Sequence, residues 1–210
     1  GERIIHRHGG DLRYLLETEQ WLRWDGVRWE VGNAGKADAE RRALETARSA
    51  MQTEAPATPE ERQALGRWAL LSESDSAIDR AVNRARVAPE IQVRQDDLDA
   101  NPFVLNTPGG ALDLVHRTVD PCARDLLLTK VAGVEYDPDE PAPTWERVVG
   151  EIFEGNPEVI RYFHKLVGYT LSGDTREKIL IFLHGAGGNN GKSLLMDALK
   201  GRRPTGYWGH

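Results

Sequence analysis

The sequence predicts a mixed α/β fold: a helix-rich part with small β-hairpins, followed by the start of a domain built on a parallel sheet. Helical patterns fill residues 36–87 and recur after residue 144, and short alternating runs flank tight-turn pairs. A continuous apolar run then leads into a glycine-rich loop near the C-terminus. The acidic, Pro-rich residues 137–143 predict a boundary between domains 1–143 and 144–210.

Composition narrows the class of protein. Hydrophobic residues make up 40% and charged residues 29% of the chain, which is typical of a soluble globular protein. The apolar run of residues 179–183 is far shorter than the ~20 residues of a membrane-spanning helix. The N-terminus lacks the apolar segment and cleavage site of a signal peptide, and the single Cys122 excludes an internal disulfide. We therefore expect a cytoplasmic protein with no membrane attachment.

The net charge of −6 argues against wrapping of DNA by bulk electrostatics, so any DNA contact must come from a local cluster. The chain also begins without Met and directly in a helical pattern, which predicts that it is a piece of a longer protein.

The N-terminal elements are predicted in order. A helix over residues 1–9 ends at Gly9-Gly10, and Leu12, Tyr14 and Leu16 then alternate as in a half-buried strand. A two-residue hairpin turn is predicted at Asp25-Gly26. Three tryptophans lie around this turn: Trp21, Trp24 and Trp29. They raise the idea of a base-stacking platform, but the alternating pattern alone explains them as packing of a small sheet, and we favour that interpretation.

Helices follow over residues 36–87, with a start at Thr58-Pro59 where Glu61 completes a capping box. The arginines Arg80, Arg84 and Arg86 form a basic side of the last helix, which we interpret as solvated rather than bound to DNA. Residues 103–114 predict a strand, a tight turn and a second strand.

Two helices are predicted after the linker. The first has a broad apolar face over residues 145–153, and the second begins with the capping residue Asn156 before Pro157. The histidines His6 and His8 are interpreted as helix-surface residues, and His164 and His184 as packed or hydrogen-bonded.

The strongest chemical pattern lies near the C-terminus. Residues 178–183 predict a strand buried on both faces of a parallel sheet, and a helix is predicted from Leu194 onward. A strand, a glycine loop with Gly-Lys-Ser, and a helix together form the context of a phosphate-binding loop. The candidate nucleotide-binding residues are Gly185, Ala186, Gly187, Gly188, Asn189, Asn190, Gly191, Lys192, Ser193 and Leu194.

Physical chemistry gives each residue type a role. Glycines let backbone N–H groups approach phosphates without Cβ clashes, and a helix N-terminus offers unpaired N–H groups and partial positive charge. Lys192, the candidate catalytic residue, would reach the β- and γ-phosphates of ATP, and the Ser193 hydroxyl would coordinate Mg²⁺. The usual phosphate-loop motif has four residues between its first glycine and the Gly-Lys pair, and that first position is Ala186 in this chain. The loop therefore either holds one extra residue or has its first glycine replaced.

The chain resembles the C-terminal helicase part of phage and plasmid primase–helicases, which are superfamily 3 helicases. The resemblance includes the domain similar to the N-terminal region of poxvirus primase–helicases. The segments that carry it are residues 7–14, 24–29, 101–102, 112–114, 128–138, 168–174 and the loop at 190–193.

The resemblance implies an α-rich accessory domain followed by a ring-forming, AAA+-like ATPase that translocates along single-stranded DNA, with the parent protein a homo-hexamer. Asn190, Gly191, Lys192 and Ser193 match the family's nucleotide loop. The family's second acidic motif, sensor residue and arginine finger lie further along than His210, about 17 residues after Ser193. We therefore expect this piece to hydrolyse ATP poorly by itself, since arginine fingers alone contribute ~10³–10⁵ in rate.

Two other classes of function stay open. The chain is alternatively a non-enzymatic nucleotide- or partner-binding assembly module. As a module that binds only a partner, it would fold and bind without dependence on Mg²⁺–ATP. A different phosphate-loop enzyme, such as a kinase or GTPase, is argued against only by the family resemblance.

Overall fold

A computed structural model of the chain describes residues 1–53, 58–185 and 190–200, with the side chains of residues 50–53 and 200 left aside. The chain divides into two compact units, Gly1–Leu98 and Asp99–His210. Both units combine helices with a small sheet, which confirms the predicted α/β class. The division between them falls earlier than the domain boundary predicted near residue 143, and that boundary stays a prediction.

The first unit combines helices with a mixed sheet. Its helices are α1 (Glu2–His8), α2 (Asn33–Thr53), α3 (Pro59–Ser72) and α4 (Asp75–Ala85). Its strands are β1 (Leu12–Leu15), β2 (Gln20–Trp24), β3 (Trp29–Val31) and β4 (Gln92–Val93). The sheet order is β3-β2-β1-β4, in which β4 runs parallel to β1 and the other pairs are antiparallel.

Local sequence features explain where these elements begin and end. The Thr58 hydroxyl accepts a hydrogen bond from the Glu61 amide at 3.2 Å, and the Glu61 carboxylate accepts one from the Thr58 amide at 3.1 Å. This reciprocal pair is the capping box that the sequence predicted at the start of α3. The predicted hairpin between β2 and β3 is also present, with its turn one residue further along than expected. The Asp25 amide donates to the Arg28 carbonyl at 3.0 Å, which leaves two residues, Gly26 and Val27, at the tip, and the Asp25 carboxylate accepts bonds from the amides of Val27 and Arg28.

The core of the first unit lies between the sheet and the helices. One cluster of buried hydrophobic residues joins α1, α2, α4, β1 and β2: Ile4, Leu12, Tyr14, Trp21, Ala39, Ala43, Val82, Ala85 and Ile91. Helix α2 packs closely on β2 at Gly35, where a Cβ atom would collide with the carbonyl group of Trp21. Glycine is therefore required at position 35 because the two backbones approach so closely.

The second unit contains a small antiparallel sheet and three helices among its described residues. Its strands are β5 (Val104–Thr107), β6 (Gly110–Asp113) and β7 (Thr118–Asp120), in that order in the sheet. Its helices are α5 (Pro143–Ile152), α6 (Pro157–Leu171) and α7 (Lys192–Lys200). The predicted strand–turn–strand over residues 103–114 is confirmed, and Asn156 caps α6 by accepting from the amides of Glu158 and Val159.

One predicted element is absent. Residues 178–183 were expected to form a strand buried on both faces, but they form no strand, and Leu180 and Phe182 are 79% and 81% exposed. A central strand needs hydrogen-bonding neighbours on both sides. In the described part of the second unit, the strands are β5, β6 and β7, which pair only with one another, so nothing there completes a sheet around this segment.

In the described part of the chain, no helix has both the length and the apolar character needed to span a bilayer.

Candidate functional site: the loop before helix α7

Helix α7 begins at Lys192, directly after the last glycine of the predicted phosphate loop. Gly191 has a φ of +75°, in the left-handed region that side chains disfavour. A Cβ atom at this position would also collide with the side chain of Ile152 on α5. The Leu195 amide donates to the Gly191 carbonyl at 3.0 Å, which starts the helix. The residue type at 191 is therefore fixed by the turn that brings Lys192 to the head of α7.

Apolar packing holds this helix in place. Val149 on α5, Phe163 on α6 and Leu195 on α7 form a buried cluster, and Leu195 is only 2% exposed. Partly buried neighbours surround the cluster: Trp145, Ile152, Phe153, Ile160, Val167 and Leu199. The Trp145 indole N–H donates to Nε2 of His164 at 3.2 Å, which confirms the predicted hydrogen bonding of that histidine. The predicted apolar faces of α5 and α6 are thus used to anchor the N-terminus of α7.

The side chain of Lys192 turns back over the loop that precedes it. Its ammonium group donates a hydrogen bond to Oδ1 of Asn190. The same nitrogen lies 3.3 Å from the position that a Cβ atom would occupy at Gly185. The ammonium group is therefore placed between the two described ends of the loop, near the unpaired amides with which a helix begins. Ser193 and Leu194 follow in the first turn and are exposed.

The described residues include only part of the predicted site. Gly185, Asn190, Gly191, Lys192, Ser193 and Leu194 are described. Ala186, Gly187, Gly188 and Asn189 lie outside the described residues, and both explanations of the loop spacing stay open. Within residues 1–53, 58–185 and 190–200, no group of three or more His, Cys, Asp or Glu side chains is arranged to hold a metal ion. A metal at this loop would therefore depend on the Ser193 hydroxyl and on the phosphates of a nucleotide.

A larger cavity of about 740 Å³ lies elsewhere in the second unit, and Lys192 is not part of its lining. Of its three lining carboxylates, those of Asp99 and Asp113 are used by the fold itself. Asp99 accepts from the amide of Thr129 at 2.8 Å and from its hydroxyl at 2.5 Å. Asp113 accepts from His116 Nδ1 at 2.8 Å, and this contact is the main cause that lowers the pKa of Asp113 to about 2. We assign no chemistry to this cavity.

In the first unit, Trp21 and Trp29 pack as we expected, and Trp24 is half-buried. Trp21 is 5% and Trp29 0% exposed, so both belong to the core and are closed to bases. On the basic side of α4, Arg80 and Arg84 are exposed as predicted. Arg86 instead donates to the Tyr14 hydroxyl at 3.4 Å and lies over the Tyr14 ring, because α4 packs beside β1.

Sequence reasoning missed a charged cluster at the end of α1. Asp38 is buried and accepts from Nε of Arg42 at 2.6 Å, and Nη1 of Arg42 contacts Nδ1 of His8 at 3.2 Å. Nε2 of His8 is buried, and no described residue forms a hydrogen bond with it. The interpretation of His8 as a surface residue was therefore wrong. The positions of His8 and Arg42 in the sequence do not predict their contact, because it forms only when α1 packs against α2.

Comparison with known proteins identifies the larger part of the chain. No curated protein matches it. The family model described as "D5 N terminal like" matches residues 1–154, which include the whole first unit and the second unit through α5. The match stops before the loop at Lys192. The chain therefore belongs to the D5 N terminal like family, the domain found in the N-terminal region of poxvirus D5-type primase–helicases.

Proposed function

We propose that this chain is part of a primase–helicase used in phage or plasmid DNA replication, and that its Lys192 loop binds Mg²⁺–ATP. The family match over residues 1–154 supports the first half of the proposal. The second half is carried by one observation: the Lys192 ammonium, at the head of α7, turns back toward Gly185 across the loop. In the whole protein, we propose a homo-hexameric ring that moves along single-stranded DNA.

The geometry suits a polyphosphate. Helix α7 has nine residues, and the amides of its first turn lack partners within the helix, so they favour an anion. A phosphate oxygen is a stronger acceptor for an ammonium group than the neutral amide oxygen of Asn190. Lys192 would therefore exchange Asn190 for the β- and γ-phosphates. The exposed Ser193 hydroxyl at the second position of the helix is free of packing constraints and would hold Mg²⁺, which neutralises charge on the same phosphates.

Thermal unfolding tests the proposal. A ligand at 100 times its Kd stabilises a protein by about 2.7 kcal/mol, so saturating Mg²⁺–ATP should raise the melting temperature clearly. AMP, which lacks the β- and γ-phosphates, should give no shift at the same concentration, and EDTA should reduce the shift with ATP. GTP tests the alternative of a GTPase. An unchanged melting temperature with Mg²⁺–ATP would contradict the proposal.

A second candidate function is a non-enzymatic assembly module. The observation that favours it is the exposed apolar segment at residues 179–183, where Leu180 and Phe182 are 79% and 81% exposed. Exposed apolar surface of this kind marks sites that partners cover. This candidate predicts association that does not depend on nucleotide. Sedimentation velocity with and without Mg²⁺–ATP would separate the two functions, provided that the thermal shift is measured on the same sample.

A further inference from the structure

We propose that the first unit carries a binding site for single-stranded DNA in the groove between α1, α2, α3 and α4. The groove has a volume of about 470 Å³, which is the size of site that holds a small molecule or a nucleotide. Only the choice of DNA as the polymer rests on the proposed replication function. The groove itself is defined by residues of the first unit, and none of them belongs to the loop at Lys192.

Small side chains make up much of the lining of the groove. Alanines from α2 and α4 line it together with Ile78: Ala43, Ala47, Ala77 and Ala81. Because the alanine side chains end at Cβ, they leave an apolar surface between the helices. A flat, largely apolar group such as a nucleobase fits a surface of this kind better than a bulky polar group does.

One wall of the groove offers an aromatic ring. Trp68 on α3 remains 38% exposed, whereas Trp21 and Trp29 of the same unit are buried. The guanidinium carbon of Arg3 lies 4.4 Å from the centre of a Trp68 ring, a cation–π contact that orients the indole. A base that stacks on the exposed part of Trp68 would then place its phosphate near a cation. Stacking on an aromatic side chain accepts every base, so the site would not select a sequence.

Arginines supply the charge that a phosphate backbone needs. Arg84 of α4 lines the groove with Arg3, and the Arg84 side chain is exposed. Arg80, one helical turn before Arg84, is also exposed, although it lies outside the lining. The proposal replaces the sequence-based interpretation of these arginines as solvated rather than bound to DNA. The acidic residue of the lining is Glu2. The groove therefore has a net positive rim in a chain of net charge −6, the local cluster that DNA binding would require.

Fluorescence anisotropy with a labelled oligo(dT) at low salt tests this site, in the absence of nucleotide. We expect Trp68→Ala and Arg84→Ala each to weaken binding at least about fivefold, and Arg84→Ala to reduce the slope of log K against log salt by about 1. Trp68→Phe should largely retain binding because it keeps a stacking ring, and this variant also controls for loss of folding. Glu2→Gln should strengthen binding because it removes the negative charge from the lining.

Matched controls come from exposed helical residues elsewhere. Arg161→Ala removes the same charge from α6, and Leu70→Ala truncates a side chain that is 75% exposed on α3 itself. Both should bind within twofold of the wild type. The site would be overturned by variants at Trp68 and Arg84 that bind like these controls, by a wild type that does not bind, or by equal binding of duplex DNA or free thymidine monophosphate. The thermal shift with Mg²⁺–ATP should be unchanged in Arg84→Ala, so this result and the ATP proposal can fail separately.

Discussion

The ammonium group of Lys192 donates a hydrogen bond to the side-chain oxygen of Asn190, two positions before it in the chain. This contact keeps a flexible side chain folded over the loop when no phosphate is bound. Holding a lysine near its working position lowers the entropy that is lost when a ligand arrives. The same contact is easily exchanged, because a neutral amide competes poorly with a phosphate for an ammonium group.

Gly191→Ala should lower both stability and nucleotide binding. The residue has a φ of +75°, and its Cβ would collide with Ile152, so the substitution strains the turn and pushes α7 away from α5. We expect a loss of about 1–3 kcal/mol in the free energy of unfolding and no thermal shift with Mg²⁺–ATP. Gly168→Ala is the matched control: it lies within α6 with open space at Cβ, and should stabilise by about 0.4–1 kcal/mol. A Gly191→Ala protein that melts like the wild type and still responds to ATP would contradict this account of the turn.

Gly35→Ala should destabilise the first unit. Its Cβ would collide with the backbone of Trp21, and backbone in a paired strand cannot move without disturbing the pairing of β1 with β2. We expect a loss of about 1–3 kcal/mol, measured by urea unfolding followed by tryptophan fluorescence. Gly150→Ala, a helical position on α5 with open space at Cβ, should show no loss. Equal stability of the two variants would show that α2 and β2 leave room for a Cβ atom at position 35.

Acid should weaken the first unit in two steps. Burial lowers the pKa of His8 below 6.5, and Arg42 lowers it further, while Glu45 and Asp11 oppose this and Arg7 adds to it. Since the unfolded chain then binds the proton more tightly, stability should fall as the pH drops below about 6.5.

The second step comes from Asp38. Burial raises the pKa of Asp38, but hydrogen bonds from Arg41 and Arg42 outweigh burial and leave that pKa below 3.8. The stability that the ionised Asp38 carboxylate contributes is therefore present above pH 3.8 and is lost as the pH falls through the lowered pKa.

His8→Asn separates the first of these steps. The asparagine oxygen can accept from Arg42 in place of Nδ1 but does not titrate. Urea unfolding between pH 7.5 and pH 5 should therefore show a smaller pH dependence in this variant than in the wild type. Identical pH profiles would show that His8 contributes nothing to acid sensitivity.

Features that depend on neighbouring residues could be predicted from the sequence. The capping box of Thr58 and Glu61 and the cap at Asn156 are formed within a few residues, so local patterns were sufficient. The amphipathic faces of α5 and α6 were correct for the same reason. The turn predicted at Asp25-Gly26 was right in length and shifted by one residue, because the Asp25 amide pairs with the Arg28 carbonyl and the Asp25 side chain bonds the amides of Val27 and Arg28.

Features that depend on distant partners could not be predicted. The contact between His8 and Arg42 joins residues 34 positions apart, and the cation–π pair of Arg3 and Trp68 joins α1 to α3. Neither pair leaves a periodic pattern in the sequence. The apolar run at residues 178–183 has the composition of a central strand, but composition does not supply the neighbouring strands that such a strand requires.

Equilibrium binding of a fluorescent ATP analogue, in the presence of Mg²⁺, tests the ATP proposal most directly. The wild type should bind it, and competition by unlabelled ATP but not by AMP should show that the β- and γ-phosphates are recognised. Lys192→Ala should lose at least about tenfold in affinity, because a charge-assisted contact to phosphate contributes roughly 1.5–3 kcal/mol. Lys165→Ala, which removes an exposed lysine from α6, should bind like the wild type. Equal affinities for the wild type and Lys192→Ala would contradict the assignment of this loop as a nucleotide site.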